Sequence, residues 1–250
     1  MTVAPKHCLQ DVPHQPPSLT VGLLPHCAIL AVLLIGVFIA SQNISLSGSF
    51  LGLATPVWLI VATVVPILHQ FYVWFCWRVE LNTHAISQYF GAQTGFRLYA
   101  AIFILFFASR FFSIAALAYS NAQCAPGGEH MRIAGMIVAC FLFAPSFYLI
   151  YSVHRYFGFT RAFGIDHFEP DTYRDIPFVK QGIFRFSQNA MYVYGFLMLW
   201  IPAFWFLSPA ALVSAAFSHL YIWAHYFCTE LPDIRFIYAD RQSAKQAAKS

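Results

Sequence analysis

Glu230 is the side chain with the most chemistry to offer. It stands just past the end of the last apolar segment, in the run Cys228-Thr229-Glu230-Leu231-Pro232-Asp233. A carboxylate at such a border reaches both the headgroup layer and any pocket between helix ends. There it can attract a cationic ligand or take a proton from an amine. Position alone leaves a second reading equally open, an interfacial acid paired with Arg235 or another nearby cation. His225 lies about one turn earlier and would share that pocket or orient a neighbour, whereas His219 on the same segment reads as a helix-packing hydrogen bond. Trp223, Tyr226 and Phe227 flank Glu230 and suit cation–π contact with an onium ligand. The polar stretch 154–188 adds Asp166, His167, Glu169, Asp171 and Asp175. Divalent cations favour such oxygens, yet the spacing matches no metal-binding loop, so a solvated loop and no metal site are expected.

The elements that must hold these groups are membrane helices. Hydrophobic residues make up 59% of the 250 and charged residues 10%, against about 25% charged in a soluble domain. The mean hydropathy is +0.62. A spanning helix needs about 20 apolar residues, and six stretches qualify: about 21–40, 51–77, 98–119, 132–153, 189–207 and 208–228. Pro56 and Pro66 are placed to bend the second. The last two are joined by a tight Ser208-Pro209 turn and must be antiparallel neighbours. The expected fold is therefore all-α, a polytopic bundle of about six transmembrane helices. Its parts would be a disordered lead-in (1–20), a four-helix scaffold (21–153), a loop plus helical hairpin carrying the site (154–240) and a basic tail (241–250) hugging anionic headgroups.

Charge sets the expected orientation. With the N-terminus in the cytoplasm, that side holds Lys6, Arg78, Arg97, Arg155, Arg161, Arg174, Lys180, Arg185, Arg235, Arg241, Lys245 and Lys249, and the far side only Arg132. Both termini and the long loop then face the cytoplasm. Arg110 falls inside the third span, where burial costs a few kcal/mol unless the group is paired or snorkels; a structural role is favoured. Histidines within a bilayer are functional candidates. His26, His69, His154, His219 and His225 lie at unrelated depths, however, which argues against a haem held by facing axial pairs. The six cysteines form no CxxC and sit mostly in apolar runs, so neither a disulfide framework nor a zinc site is expected. The first apolar run is long enough to stay in the bilayer rather than act as a cleaved signal. No nucleic-acid partner is expected.

Three blocks in the last third resemble a known family. Tyr156-Phe157-Gly158-Phe159 is similar to the Tyr-Phe-Gly-aliphatic opening of the cytoplasmic loop in the phosphatidylethanolamine N-methyltransferases. Gly182-Ile183-Phe184-Arg185, followed by Asn189-Ala190-Met191-Tyr192 and Gly195, resembles their Gly-x-aromatic-Arg and Asn/His-Pro-Met-Tyr element. Thr229-Glu230, Pro232 and Ile237-Tyr238 resemble their Glu-Glu, Pro and Ile-Tyr ending. These integral membrane enzymes are related to the isoprenylcysteine carboxyl methyltransferases. The likeness covers roughly 155–238. Two positions depart from it: Ala190 stands for the usual Pro, and Thr229 for the first Glu of the pair.

The resemblance implies S-adenosylmethionine held between the cytoplasmic ends of the last helices, and a lipid acceptor entering laterally. Gly182, Arg185, Asn189, Tyr192 and Gly195 would shape the cofactor pocket. Glu230 would bind the cofactor's ammonium or ribose, or stand close to the acceptor amine, with His225 beside it as a second catalytic candidate. The implied activity is N-methylation of the ethanolamine headgroup of phosphatidylethanolamine, in the endoplasmic reticulum or a bacterial inner membrane. The alternatives are methylation of isoprenylcysteine or of another membrane-soluble amine, a related NADPH-dependent membrane reductase, and a catalytically silent lipid- or haem-binding membrane protein.

Overall fold

In water-free hydrocarbon a backbone must satisfy its own hydrogen bonds, which leaves the apolar stretches of this chain little choice but helix. The computed structural model describes residues 15–238; most of the lead-in and the whole basic tail lie outside those residues. Among the described residues, four helices are long and apolar enough to cross a membrane. They are α1 (Leu23–Gln42), α2 (Thr55–Thr83), α4 (Ala92–Ser120) and α5 (Glu129–Ser152). A two-stranded hairpin, β1 (Ser49–Phe50) with β2 (Leu53–Ala54), links α1 to α2, and the short α3 (Ala85–Phe90) links α2 to α4. Pro56 sits in the first turn of α2, where its missing N–H costs nothing, while Pro66 lies inside the helix.

The terminal hairpin is less regular than its hydropathy suggests. Its first arm, expected as one helix over 189–207, is a π-helical turn (Met191–Gly195), a 3-10 turn (Phe196–Leu199) and the six-residue α8 (Trp200–Trp205). Pro202 offers no N–H to the carbonyl four residues back, which disfavours an uninterrupted α-helix there. The second arm is regular. Ser208 caps α9 (Pro209–His225) by accepting the Ala211 N–H at 3.1 Å, with Pro209 at the first helical position.

Six apolar segments run between two polar ends. At one end Asn121 Nδ2 donates to the Ser45 carbonyl (2.9 Å), and its Oδ1 accepts from Ser208 Oγ (3.0 Å) and the Ala210 N–H (3.3 Å). That one side chain ties the α1–α2 link, the end of α4 and the hairpin turn. At the other end Arg78, near the finish of α2, meets Ser18 and Asp233. Between the ends, α2, α4, α8 and α9 pack through small residues such as Ala62, Ala118, Ala203, Ala211 and Ala215, all essentially unexposed, which lets the backbones approach closely. Arg110 is buried in this layer. Its Nη2 donates to the Pro66 carbonyl (3.3 Å) and its guanidinium lies 5.3 Å from the Phe196 ring centre. His219 accepts from Trp200 Nε1 at 3.1 Å, and His26 bonds the Tyr221 hydroxyl at 2.7 Å.

The expectation of a solvated loop over 154–188 is corrected by the structure. The chain leaves α5 through a π-helical turn (Val153–Phe157) and folds into α6 (Phe159–Ala162), a 3-10 turn (Ile165–His167) and α7 (Pro170–Tyr173). A further 3-10 turn spans Gly182–Arg185. Asp171 and Asp175 are exposed, but Asp166 and His167 are only 9% and 2% exposed. They are buried because partners distant in sequence meet them there.

Candidate active site

At the Arg78 end, α9 runs into a π-helical turn, Tyr226–Glu230, and then α10 (Leu231–Ile237). The folded loop closes over this junction and leaves a cavity of about 880 Å³, within the roughly 300–1,000 Å³ range of small-molecule pockets. Glu230, Tyr226, Leu231 and Ile234 line one side. Arg161, Asp166, His167, Lys180, Phe184 and Arg185 line it from the loop, and Asn189, Met191 and Tyr192 from the start of the hairpin. Trp77 of α2 completes the wall.

The inner wall is a chain of paired charges. His167 Nδ1 faces Asp166 Oδ1 at 3.1 Å and its Nε2 faces Asp233 Oδ2 at 3.5 Å. Its ring stacks on Trp77 with centroids 3.7 Å apart. Asp233 is held from its other side by Arg78 Nε at 2.8 Å, and Asp166 Oδ2 accepts the Tyr238 hydroxyl at 2.9 Å. Tyr238 in turn accepts from Arg161 Nη2 (3.4 Å), while Arg161 Nη1 donates to the Pro177 carbonyl (3.2 Å). Burial opposes a charge on His167, but the carboxylates on both nitrogens outweigh it and raise the imidazole to about 9. Burial likewise opposes ionisation of Asp166, yet His167, Tyr238 and Arg161 hold it below the usual carboxylate range. With a carboxylate facing each ring nitrogen, His167 is held as a cation rather than poised as a base.

Glu230 differs from the other two acids of this wall in having no ion pair among the described residues. Its Oε2 is buried without a hydrogen-bond partner, and no ion pair to Arg235 forms among the described residues. Burial, seconded by Asp166 and Asp233, raises its carboxyl to about 8 even though His167 pulls the other way. Asp166 and Asp233 each face a cation; among the described residues Glu230 faces none in an ion pair. A cavity lined by Glu230, whose Oε2 is buried and unpartnered, and also by Lys180 and Arg185 is complementary to a ligand bearing both charges.

The residues singled out from the sequence fall into two groups. Glu230, Arg185, Asn189 and Tyr192 share the cavity lining. Gly182, Gly195 and His225 stand behind it. Gly182 has φ +60°, and a Cβ there would lie 2.6 Å from Ser152 Oγ and 2.9 Å from the Tyr156 ring. The same Ser152 Oγ accepts the Ile183 N–H at 3.1 Å, so this glycine seats the cavity rim on α5. Gly195 lies against Leu149, where a Cβ would be 2.9 Å from Cδ2, and borders a small recess beside Arg110. His225 is buried with its ring 5.5 Å from Trp77.

Sequence reasoning missed Trp77, Arg78, Asp233 and the pairing of Asp166 with His167. Only the last had a signal, an adjacent acid and histidine in a loop of otherwise separate charges. Among the described residues no group of three or more His, Cys, Asp or Glu side chains is arranged to hold a metal ion. No curated protein and no solved structure matches the chain. Residues 134–241, which run from α5 through the loop and hairpin past α10, match the family model described as PEMT, phospholipid methyltransferase. The family resemblance carried by the motifs of 156–238 is thus supported over the segment that builds the cavity, and that family is the phospholipid methyltransferases.

Proposed function

We propose that the protein transfers a methyl group from S-adenosylmethionine to the amine of phosphatidylethanolamine, at a site facing the cytoplasm. The observation that carries this reading is the unpartnered Glu230 Oε2 in a cavity also lined by Lys180 and Arg185. The cavity is large enough for a nucleoside-type donor, and Glu230 Oε2 is an orphan that a cation would satisfy, so the residues present fit the group. Tyr192, Asn189 and Arg185 are the candidates to hold it, with Glu230 against its positive charge or against the acceptor nitrogen. Bound there, S-adenosylmethionine would supply the methyl as an electrophile on sulfur.

The chain itself must then align the acceptor and dispose of one proton. An ammonium has no lone pair, so the headgroup must lose a proton before its nitrogen can form the new C–N bond. An ordinary carboxylate is a weak base for such a proton. Glu230, raised to about 8, is much closer to an amine, and proton transfer between matched groups is more efficient. Lys180 and Arg185, lining the same cavity, suit the lipid's phosphate. The fold supplies the rest of the rate by holding donor and nitrogen in line, where geometry alone is worth several kcal/mol.

The isoprenylcysteine alternative is disfavoured by the same carboxylate. Its acceptor is itself a carboxylate and brings no positive charge to the unpartnered Glu230 Oε2, whereas an ammonium would. The test is transfer of a labelled methyl group from S-adenosylmethionine into lipids extracted from membranes expressing the chain. We expect label in N-methylated phosphatidylethanolamine, stable to mild alkali. Label released by alkali as methanol would assign a carboxyl ester instead, and lipids without label above control membranes would remove the reading.

A further inference from the structure

Pro232 creates a local deficit next to Glu230. It has no N–H, so the Cys228 carbonyl four residues earlier loses its α-helical donor, in a turn already widened to a π-helical pattern. Arg78 fills the gap from another helix. Its Nη2 lies 3.5 Å from the Cys228 carbonyl and 3.3 Å from that of Thr229, while its Nε pairs with Asp233 at 2.8 Å. Its remaining arm, Nη1, donates to the Ser18 carbonyl at 2.7 Å. The segment after Ser18 presses on the same turn: Gly22, at φ +80°, has no side chain because a Cβ would fall 1.9 Å from the Cys228 oxygen. Arg78 is fully buried, and neither it nor Gly22 belongs to the family-matched segment 134–241.

We propose that Arg78 is the positioning residue for Glu230, clamping the Tyr226–Glu230 turn between α2 and the segment Ser18–Gly22. The planar fork does what a point charge cannot: one face holds Asp233, and the other replaces the donor that Pro232 lacks. The N-terminal segment is thereby part of the site although it lines none of the cavity. The kinetic arm of the test rests on the methyltransferase reading; the structural arm does not.

The test uses the full chain in micelles with three variants, Arg78→Lys, Arg78→Gln and Gly22→Ala. Lysine keeps the charge for Asp233 and loses the fork. Hydrogen exchange of the amides in 226–231 is expected to accelerate at least about tenfold in Arg78→Lys and Gly22→Ala, with the core of α9 unchanged. In turnover assays Arg78→Lys should raise KM for the donor about tenfold or more without a matching loss of folded protein, because a small misplacement of a binding group is costly. Arg78→Gln, which leaves Asp233 without its cation, should in addition move the pH profile of kcat/KM to higher pH; Arg78→Lys should not. Wild-type exchange and wild-type KM in Arg78→Lys would overturn the clamp. Absence of turnover in the wild type would remove the methyltransferase reading, with the exchange data still deciding the clamp.

Discussion

Glu230→Gln is expected to reduce methyl transfer at least about 100-fold, in line with the loss of a positioned general base, while leaving the protein folded. Gln keeps the size of the side chain and removes both its charge and its basicity. The effect should fall on kcat as much as on donor affinity if, as proposed, the same carboxylate stands against the reacting nitrogen. Stability should move the opposite way. The carboxyl ordinarily titrates near 4.5 and in the fold at about 8. A raised acid is a folding penalty that is absent below the unfolded value and grows as pH climbs from there to the folded one. The empty Gln variant should therefore melt with the wild type at pH 5 and a few degrees above it at pH 8 to 9. A Gln variant that transfers methyl groups at the wild-type rate would take Glu230 out of the chemistry.

His167→Asn has the largest expected effect on stability. The imidazolium sits between Asp166 and Asp233 in a wall that is almost wholly buried, and removing one member of such a cluster typically costs about 3–5 kcal/mol. Thermal unfolding in detergent checks this. The double variant with Asp166→Asn should lose less than the two single losses added together, because the second change relieves a charge that the first left unpaired. Additive losses would mean that the two side chains do not pair. The pH dependence has a defined sign. His167 is raised from 6.5 to about 9, so its share of stability is complete below about 6.5 and is lost as pH rises through 9. Asp166, held low, contributes above its ordinary value near 3.8 and loses that share on the acid side. In His167→Asn the alkaline slope should flatten.

Hydropathy was enough to find the bundle, because a bilayer imposes one requirement on every spanning stretch and composition reports it directly. It did not show that the hairpin's first arm begins with π and 3-10 turns before α8, where Pro202 leaves the Met198 carbonyl without an α-helical donor. The motif blocks led to Glu230, Arg185, Asn189 and Tyr192, which do share a cavity. They did not lead to what holds Glu230. Arg78 lies about 150 residues before the turn it caps, and in sequence it is one more basic residue at the end of a span. His167 and Asp166 looked like solvated loop charges because their burial depends on Trp77 of α2 and Asp233 of α10, both far from the loop in sequence. Periodicity and spacing describe neighbours along one helix; a charge wall assembled from three separate segments leaves no such trace.

Under the proposed function, the Glu230 carboxyl, with no ion pair among the described residues, meets a positively charged methyl donor in this cavity. Calorimetric titration of purified protein with S-adenosylmethionine at pH 7, repeated in buffers of different ionisation enthalpy, measures it directly. With Glu230 raised to about 8, the carboxyl is mostly protonated when the cavity is empty and must ionise beside the cation. Binding should therefore release a quantity approaching one proton in the wild type and essentially none in Glu230→Gln. Binding without proton release in the wild type, or the same release in both proteins, would contradict it.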